Sequence, residues 1–255
     1  MGDPMLKRIA LPLLFEPGTG WEYGFGLDWA GVIVMRLNNT SLESYMHKHI
    51  WDPLGIKNIT FHQELKPEVR KNLVKMSTRG NQPLRGLAVA TDEKVQWTDE
   101  LLYEDPQVDE FGGAGAVGSA GDYLRILHSI AADDGKLLTS ETIEEMFSPQ
   151  LSAEAQRRLN TFINFIGDGE MFSAQEPGAE VNYGLGGLLI LGDKKTGVRS
   201  GTLSWSGLPN LLWTIDRNSG LCLFCASNLC PFGDQKSQQM QQVFEREMYT
   251  RASKL

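Results

Sequence analysis

Apolar and polar positions change rhythm along this chain. The opening stretch holds no long periodic segment and ends in Phe15-Glu-Pro-Gly-Thr-Gly-Trp-Glu-Tyr-Gly-Phe-Gly26. Its Pro and Gly predict a loop, and Trp21, Tyr23 and Phe25 give that loop something to pack, so it reads as ordered rather than as a linker. From Asp28, the residues Trp29, Val32, Ile33 and Leu37 recur at helical spacing. Thr40-Ser-Leu-Glu43 then spells a capping box for a second helix. That helix sets Leu42, Tyr45, Met46, His49 and Ile50 on one face and stops before Pro53-Leu-Gly55.

Residues 57–110 are polar and weakly periodic. They predict a long connection with one helix near Pro67 to Met76 and extended pieces near Leu87 to Ala90. The Gly-rich run Phe111 to Gly121 leads to Ser119 and Asp122, spaced as an N-cap pair, and to a helix striped by Tyr123, Leu124, Leu127 and Ile130. Another helix is expected over about Ser140 to Phe147. After residue 181 the texture becomes short apolar runs punctuated by Gly, Asn and Asp: Tyr183 to Leu191, Arg199 to Trp205, Asn210 to Asp216 and Leu221 to Ala226. That is the pattern of an antiparallel meander. Gln235 to Tyr249 closes the chain as a helix, with Met240, Val243, Phe244 and Met248 expected to cover the sheet. The order is α+β: a mostly helical region over 1–180 carrying the tyrosine loop, then sheet and closing helix over 181–255, packing as one domain.

Composition narrows the function classes. At 255 residues the chain can bury a sizeable core. Its net charge of −8 has the wrong sign for a phosphate-backbone binder, so nucleic acid is excluded as a partner. No apolar run is long enough to span a bilayer, and the first residues lack the order of a signal peptide, so the expectation is a soluble cytoplasmic chain without a membrane partner. Cys222, Cys225 and Cys230 are crowded into one apolar segment and read as packed thiols.

Several motifs fail on context. Gly113-Ala-Gly115-Ala-Val-Gly118 matches G-x-G-x-x-G, but the residues before it, Glu104 to Glu110, cannot form the buried strand a dinucleotide site needs. The bland reading is a Gly-rich loop that permits close backbone packing. Lys195-Thr-Gly197 sits in the composition of a hairpin turn. His47 and His49 form H-x-H on a helix, where residues two apart do not face each other, so one exposed and one core-edge histidine are expected. No clustered metal ligands stand out, and neither a metal nor a cofactor is expected.

Two segments carry chemistry. A tyrosine fixed in a Gly-rich loop can act as a general base when nearby cations lower its phenol pKa from about 10. In Ser204-Trp-Ser-Gly-Leu-Pro-Asn210, Gly207 leaves a backbone edge unobstructed, which suits an acyl oxyanion.

These segments resemble the serine β-lactamase-like superfamily of penicillin-binding proteins, class C β-lactamases, family VIII esterases and fungal statin side-chain acyltransferases. Phe15 to Gly31 is similar to its P-G-x-x-W-x-Y motif, with Tyr23 at the catalytic tyrosine. Glu110 to Tyr123 resembles its Gly-rich segment, and Trp205-Ser-Gly207 resembles the W-x-G of its esterase branch. The fungal acyltransferase branch fits best, through Tyr-Gly-x-Gly-Leu-Asp-Trp-Ala-Gly and Trp-x-Gly-Leu-Pro-Asn. Phe25 replaces the usual Asn, which argues against β-lactam hydrolysis.

The resemblance implies a partial β-lactamase/transpeptidase-like fold and acyl transfer, to a secondary-metabolite alcohol or to water, through an acyl-serine. It implies Tyr23 as base and an acyl pocket lined by Trp205, Ser206, Gly207 and Trp21; Trp21, Trp29 and Tyr183 could line the cleft, though as large aromatics they read first as packing residues. It also implies a small-molecule acyl donor and acceptor, and admits an acyl-carrier or polyketide synthase as the thioester source. The family's nucleophile is the Ser of an S-x-x-K that precedes the tyrosine, and no S-x-x-K occurs in these 255 residues; Thr91-Asp-Glu-Lys94 lies downstream in a polar stretch. The chain therefore reads as the C-terminal portion of the family's pattern, inactive alone, with an unpaired sheet edge and an uncovered apolar face expected. The alternative is a non-catalytic relative that binds a small molecule or a partner.

Overall fold

The computed structural model describes residues 4–165 and 180–254. The helices are α1 (Pro4–Ile9), α2 (Gly26–Asn38), α3 (Leu42–Met46), α4 (Pro67–Arg70), α5 (Ala120–Ala132), α6 (Ser140–Met146), α7 (Ala153–Phe165) and α8 (Gln235–Ala252). The strands are β1 (Ile59–Thr60), β2 (Met76–Arg79), β3 (Val95–Thr98), β4 (Val117–Gly118), β5 (Val181–Tyr183), β6 (Leu188–Ile190), β7 (Leu203–Gly207), β8 (Leu211–Asp216), β9 (Leu221–Cys225) and β10 (Leu229–Cys230). They gather into two compact units that interleave along the sequence.

The first unit comprises residues 1–17, 22–73 and 103–126. Its core is Leu42, Trp51, Ile56, Ile59 and Phe61, and a smaller cluster joins Ile9 and Val32 to Leu6, Met35 and Phe111. The expected helix after Asp28 is α2, but Trp29, Ile33 and Leu37, which set its periodicity, lie on the exposed side, and its buried side is Asp28, Gly31 and Val32. The cap of α3 is Ser41, not Thr40: its Oγ accepts the Ser44 N–H at 3.1 Å. Glu43 is thereby released from the expected capping box to serve elsewhere. After α3 the helix widens into a π turn over His47–Trp51, closed by the Asp52 N–H donating to His47 O at 2.9 Å. The extra residue turns Trp51 fully inward and leaves His47, rather than His49, at the core edge, 4.6 Å from the Trp51 ring. His49 is exposed beside Tyr45.

The second unit comprises residues 18–21, 74–102 and 127–255. Its five-stranded sheet is an antiparallel meander in the order β5-β6-β7-β8-β9, as the sequence pattern predicts, except that Tyr183 to Leu191 breaks at Gly184–Gly187 into two strands. Strand β9 ends the order among the described residues. A three-stranded sheet, β10-β2-β3, pairs β10 parallel to β2. The helix expected near Pro67 to Met76 is shorter, since α4 stops at Arg70 and Met76 opens β2. Helix α7, an element not among those expected from the sequence, buries Ala155, Leu159 and Ile163 at a spacing of four residues and packs with Val181 and Leu188.

The largest correction concerns α8. Phe244 and Met248 pack against Ile190, Val198 and Leu223 as expected, but Met240 and Val243 are 52% and 56% exposed, and the most buried stripe is Ser237, Gln238, Gln241, Glu245 and Tyr249. Polar residues face inward because the second unit offers them partners. Gln241 donates to Asn210 O at 2.7 Å and the Tyr249 hydroxyl donates to Asp216 at 2.9 Å. Glu245 is buried beside Lys194 and Thr196. The N-cap Asp234 accepts from Ser237 N–H and Oγ, each at 2.9 Å, and takes the Arg79 guanidinium with both oxygens, at 2.7 and 3.1 Å.

Candidate active-site residues

Tyr23 belongs to the first unit, in the loop just before α2, and is 64% exposed. Helix α2 begins where the Trp29 N–H reaches Phe25 O at 3.0 Å, which puts Asp28 in the first turn, favourably placed against the helix dipole. The buried Asp28 carboxylate accepts the Gly113 N–H at 3.0 Å. This bond draws the Gly-rich segment onto α2, so closely that a Cβ on Gly112 would overlap the carbonyl oxygen of Leu27. The G-x-G-x-x-G match is accordingly a packing device, with turns and not a strand in the described residues before it. Desolvation first and the Asp28 carboxylate second raise the Tyr23 phenol above its ordinary value, the direction opposite to that expected from neighbouring cations.

Trp21, Trp205, Ser206 and Gly207 belong to the second unit. Trp21 sits 5.1 Å from Phe162 and 6.2 Å from Tyr183, and Tyr183 meets Trp205 edge-on at 5.5 Å. The structure therefore brings Trp21 and Trp205 into one aromatic cluster, with Tyr183 between them and Leu159 and Ile163 beneath. Ser206 and Gly207 end β7, opposite Leu212 and Leu211 of β8. A Cβ on Gly207 would lie 3.1 Å from Leu211 Cδ1, so a side chain there would push on the neighbouring strand.

The hairpin that carries Gly207 is anchored by Asn210, which in the sequence stands out only as the end of Trp-x-Gly-Leu-Pro-Asn. Asn210 is 3% exposed and adopts a left-handed conformation with φ of 54°. That suits the last position of a three-residue hairpin loop and is tolerated by Asn better than by most residues. Its Nδ2 donates to Leu229 O at 2.7 Å and Pro231 O at 2.9 Å. Its Oδ1 accepts the Gly233 and Asp234 N–H groups at 2.9 and 3.1 Å.

Lys195-Thr-Gly197 does lie in a turn, closed by Gly197 N–H to Lys194 O at 3.0 Å and Lys194 N–H to Val198 O at 2.8 Å. Cys222, Cys225 and Cys230 are free, and burial raises all three thiols, so none is a ready thiolate. The expectation that no metal ligands cluster is corrected by the first unit, where one ligand atom each from Glu43, His62 and Glu110 lies within 4.8 Å of the others. The set was invisible in sequence because the chain brings its members together across separations of 48 and 67 residues. These ligand atoms already have partners, among them the Lys66 ammonium, 3.4 Å from Glu43 Oε1.

Residues 5–242 match the Beta-lactamase family. The chain belongs to this family. Among its relatives is the ML-236A carboxylate methylbutanoyltransferase mlcH of Penicillium citrinum, 32% identical over 96% of this chain and 56% of that protein. The lovastatin esterase of Penicillium rubens is 32% identical over 97% of this chain and 60% of its own length. Among solved structures, the LovD6 mutant of simvastatin synthase from Aspergillus terreus superposes with a TM-score of 0.87 at 31% identity, over 99% of this chain and 60% of that one. The chain thus spans a little over half the length of these relatives, and its α+β architecture is that of the family. No helix among the described residues is long and apolar enough to cross a membrane.

Proposed function

We propose that this chain is part of a β-lactamase-related serine acyltransferase or esterase, which moves an acyl group from a small-molecule donor to a secondary-metabolite alcohol or to water. The observation that carries the reading is the 32% identity to an acyltransferase over 96% of the chain, with the tyrosine loop, the Gly-rich segment and Trp-x-Gly in the family's order. The serine comes from residues outside these 255, because no S-x-x-K occurs within them. Serine Oγ attacks the acyl carbonyl while its proton passes to Tyr23. The leaving group departs from the tetrahedral intermediate, and an alcohol or water then takes the acyl group from the serine. A phenol acts as base most readily beside a cation that favours its ionised form, and in this reading the lysine paired with the serine provides that cation. Trp21, Trp205 and Ser206 line the acyl pocket, and Gly207 leaves the oxyanion edge open. A thioester donor, handed over by an acyl carrier or polyketide synthase in the cytoplasm, completes the reading.

A second reading, a non-catalytic relative that binds a small molecule or partner, is favoured by the missing S-x-x-K alone. Intact-mass spectrometry after incubation with a fluorophosphonate separates the two. The acyltransferase reading expects an adduct on a version extended at its N-terminus to the length of the relatives, and none on the 255 residues. In the extended protein, Tyr23→Phe is expected to lower kcat for p-nitrophenyl ester cleavage by about a hundredfold or more. Silence from the extended protein transfers the weight to the binding reading.

A further inference from the structure

One member of the polar stripe on α8 reaches the hairpin that carries Gly207. Gln241 is 4% exposed, and its Nε2 donates to the main-chain oxygen of Asn210 at 2.7 Å. A carbonyl oxygen can only accept, so the pair itself fixes which end of the Gln241 amide faces the turn. Asn210 is joined directly to Leu211, and Leu211 is the partner of Gly207 across β7 and β8. The approach there is close, since a Cβ on Gly207 would lie 3.1, 3.2 and 3.5 Å from three side-chain atoms of Leu211. A shift of the Asn210 carbonyl is therefore passed to Gly207 through a single residue. The start of α8 is held separately: Asp234 caps it through Ser237, takes Arg79 of β2 with both carboxylate oxygens, and donates its N–H to Asn210 Oδ1 at 3.1 Å. The Asn210 side chain thus ties the turn to the segment before α8, whereas Gln241, within the helix, ties down its main chain.

We propose that Gln241 is a positioning residue for acyl transfer, which sets the backbone edge at Gly207 from α8 and acts through Asn210 and Leu211 rather than by contact with substrate. The inference rests on the acyl-transfer reading and adds to it the residue that holds the oxyanion edge in register. Such an edge stabilises the tetrahedral intermediate only when its donors stand about 2.7–3.1 Å from the position where the charge develops. A displacement of the order of 1 Å can cost about a hundredfold in rate, so a single bond to the main chain of this turn is enough to matter.

The test uses the N-terminally extended protein and p-nitrophenyl esters, with rates normalised to the molecules that form the fluorophosphonate adduct at completion. Gln241→Met, similar in length but without a donor, should lower kcat and kcat/KM equally, by about tenfold or more, because the edge binds the oxyanion and not the ground-state carbonyl. The inhibition constant of a boronic acid, which mimics the tetrahedral intermediate, should rise by the same factor. A residue that only stabilised α8 would move neither quantity after normalisation, and Met240→Ala, on the exposed side of the helix, should leave both unchanged. In the 255-residue chain, hydrogen–deuterium exchange over residues 204–212 should be about tenfold faster in Gln241→Met. Gln241→Glu keeps the shape and donates only while protonated, so its kcat relative to wild type should rise as pH falls from 8 to 5, which tests the role even if Gln241→Met does not fold. Unchanged kcat and boronate affinity, unchanged exchange over 204–212, or a Gln241→Glu ratio that is flat with pH would overturn the positioning role alone. No adduct on the extended wild type would overturn the acyl-transfer reading and this role with it.

Discussion

Replacing Asn210 with alanine removes more than one interaction. Its side chain serves four backbone groups, the carbonyls of Leu229 and Pro231 and the N–H groups of Gly233 and Asp234. None of the four could turn to water without opening the turn between β10 and α8. Each buried group left without a partner costs about 1–3 kcal/mol. Partial rehydration keeps the sum near ~3–4 kcal/mol, and an alanine at φ of 54° adds about 1–2 kcal/mol of backbone strain. The expected loss is therefore roughly 4–6 kcal/mol, a large share of the ~5–15 kcal/mol that holds a typical domain. Asn210→Gly separates the two contributions, because glycine forfeits the same hydrogen bonds without the strain and should be about 1–2 kcal/mol less damaging. Urea unfolding followed by tryptophan fluorescence reads both variants. A loss below ~1 kcal/mol for Asn210→Ala, or equal losses for the two, would refute the assignment of Asn210 as the anchor of this hairpin.

Other substitutions probe separate parts of the same logic. Glu245→Ala should cost about 3 kcal/mol or more by leaving the buried Lys194 charge uncompensated, while Glu245→Leu with Lys194→Met should recover most of it; additive losses in urea would count against the pairing. Gly112→Ala should destabilise the first unit by several kcal/mol, since the new methyl cannot coexist with Leu27 O, and a circular-dichroism melt matching wild type would exclude the close approach. Acid should weaken the fold. Burial alone would raise Glu43, Asp122 and Asp234, yet bonds from Thr60, Asn58 and Arg79 respectively bring each below its usual value, so their stabilisation is present above about pH 4 and lost as pH falls below it. The urea midpoint should drop between pH 5 and 3, and Asp122→Asn should flatten that slope.

What was legible in the sequence is what simple periodicity encodes. Helices α2 and α6 and the β5–β9 meander follow from apolar spacing and turn residues, and α7 could have been read from Ala155, Leu159 and Ile163 behind Ser152, whose Oγ accepts the Ala155 N–H at 3.2 Å. Periodicity misled wherever partners mattered more than hydropathy. On α8 the apolar Met240 and Val243 face out because Gln241, Glu245 and Tyr249 find polar groups to bond within the second unit. Strands β1, β2 and β3 are too short to show alternation. The tyrosine loop and Trp-x-Gly were legible as motifs, and the Trp21–Tyr183–Trp205 cluster could be suspected. The left-handed anchor at Asn210 and the Glu43–His62–Glu110 grouping could not, since both are defined by hydrogen bonds to distant residues.

A further set of bonds shares one chemistry, and it explains how much of this chain's irregular backbone is held in place. Asp28 accepts from Gly113, Glu110 from Glu43, Glu43 from Phe61, Asp122 from Asn58, and Asp216 from Arg199 and Ser219. Each is a side-chain carboxylate bonded to a main-chain N–H. An ionised carboxylate is an acceptor only, and it bonds an N–H more strongly than a neutral oxygen does. Part of the chain's acidic excess therefore acts internally, fixing loops that hydrophobic burial alone would leave without a register. These anchors need only charge and reach, not periodicity, which is why apolar spacing along the sequence does not reveal them.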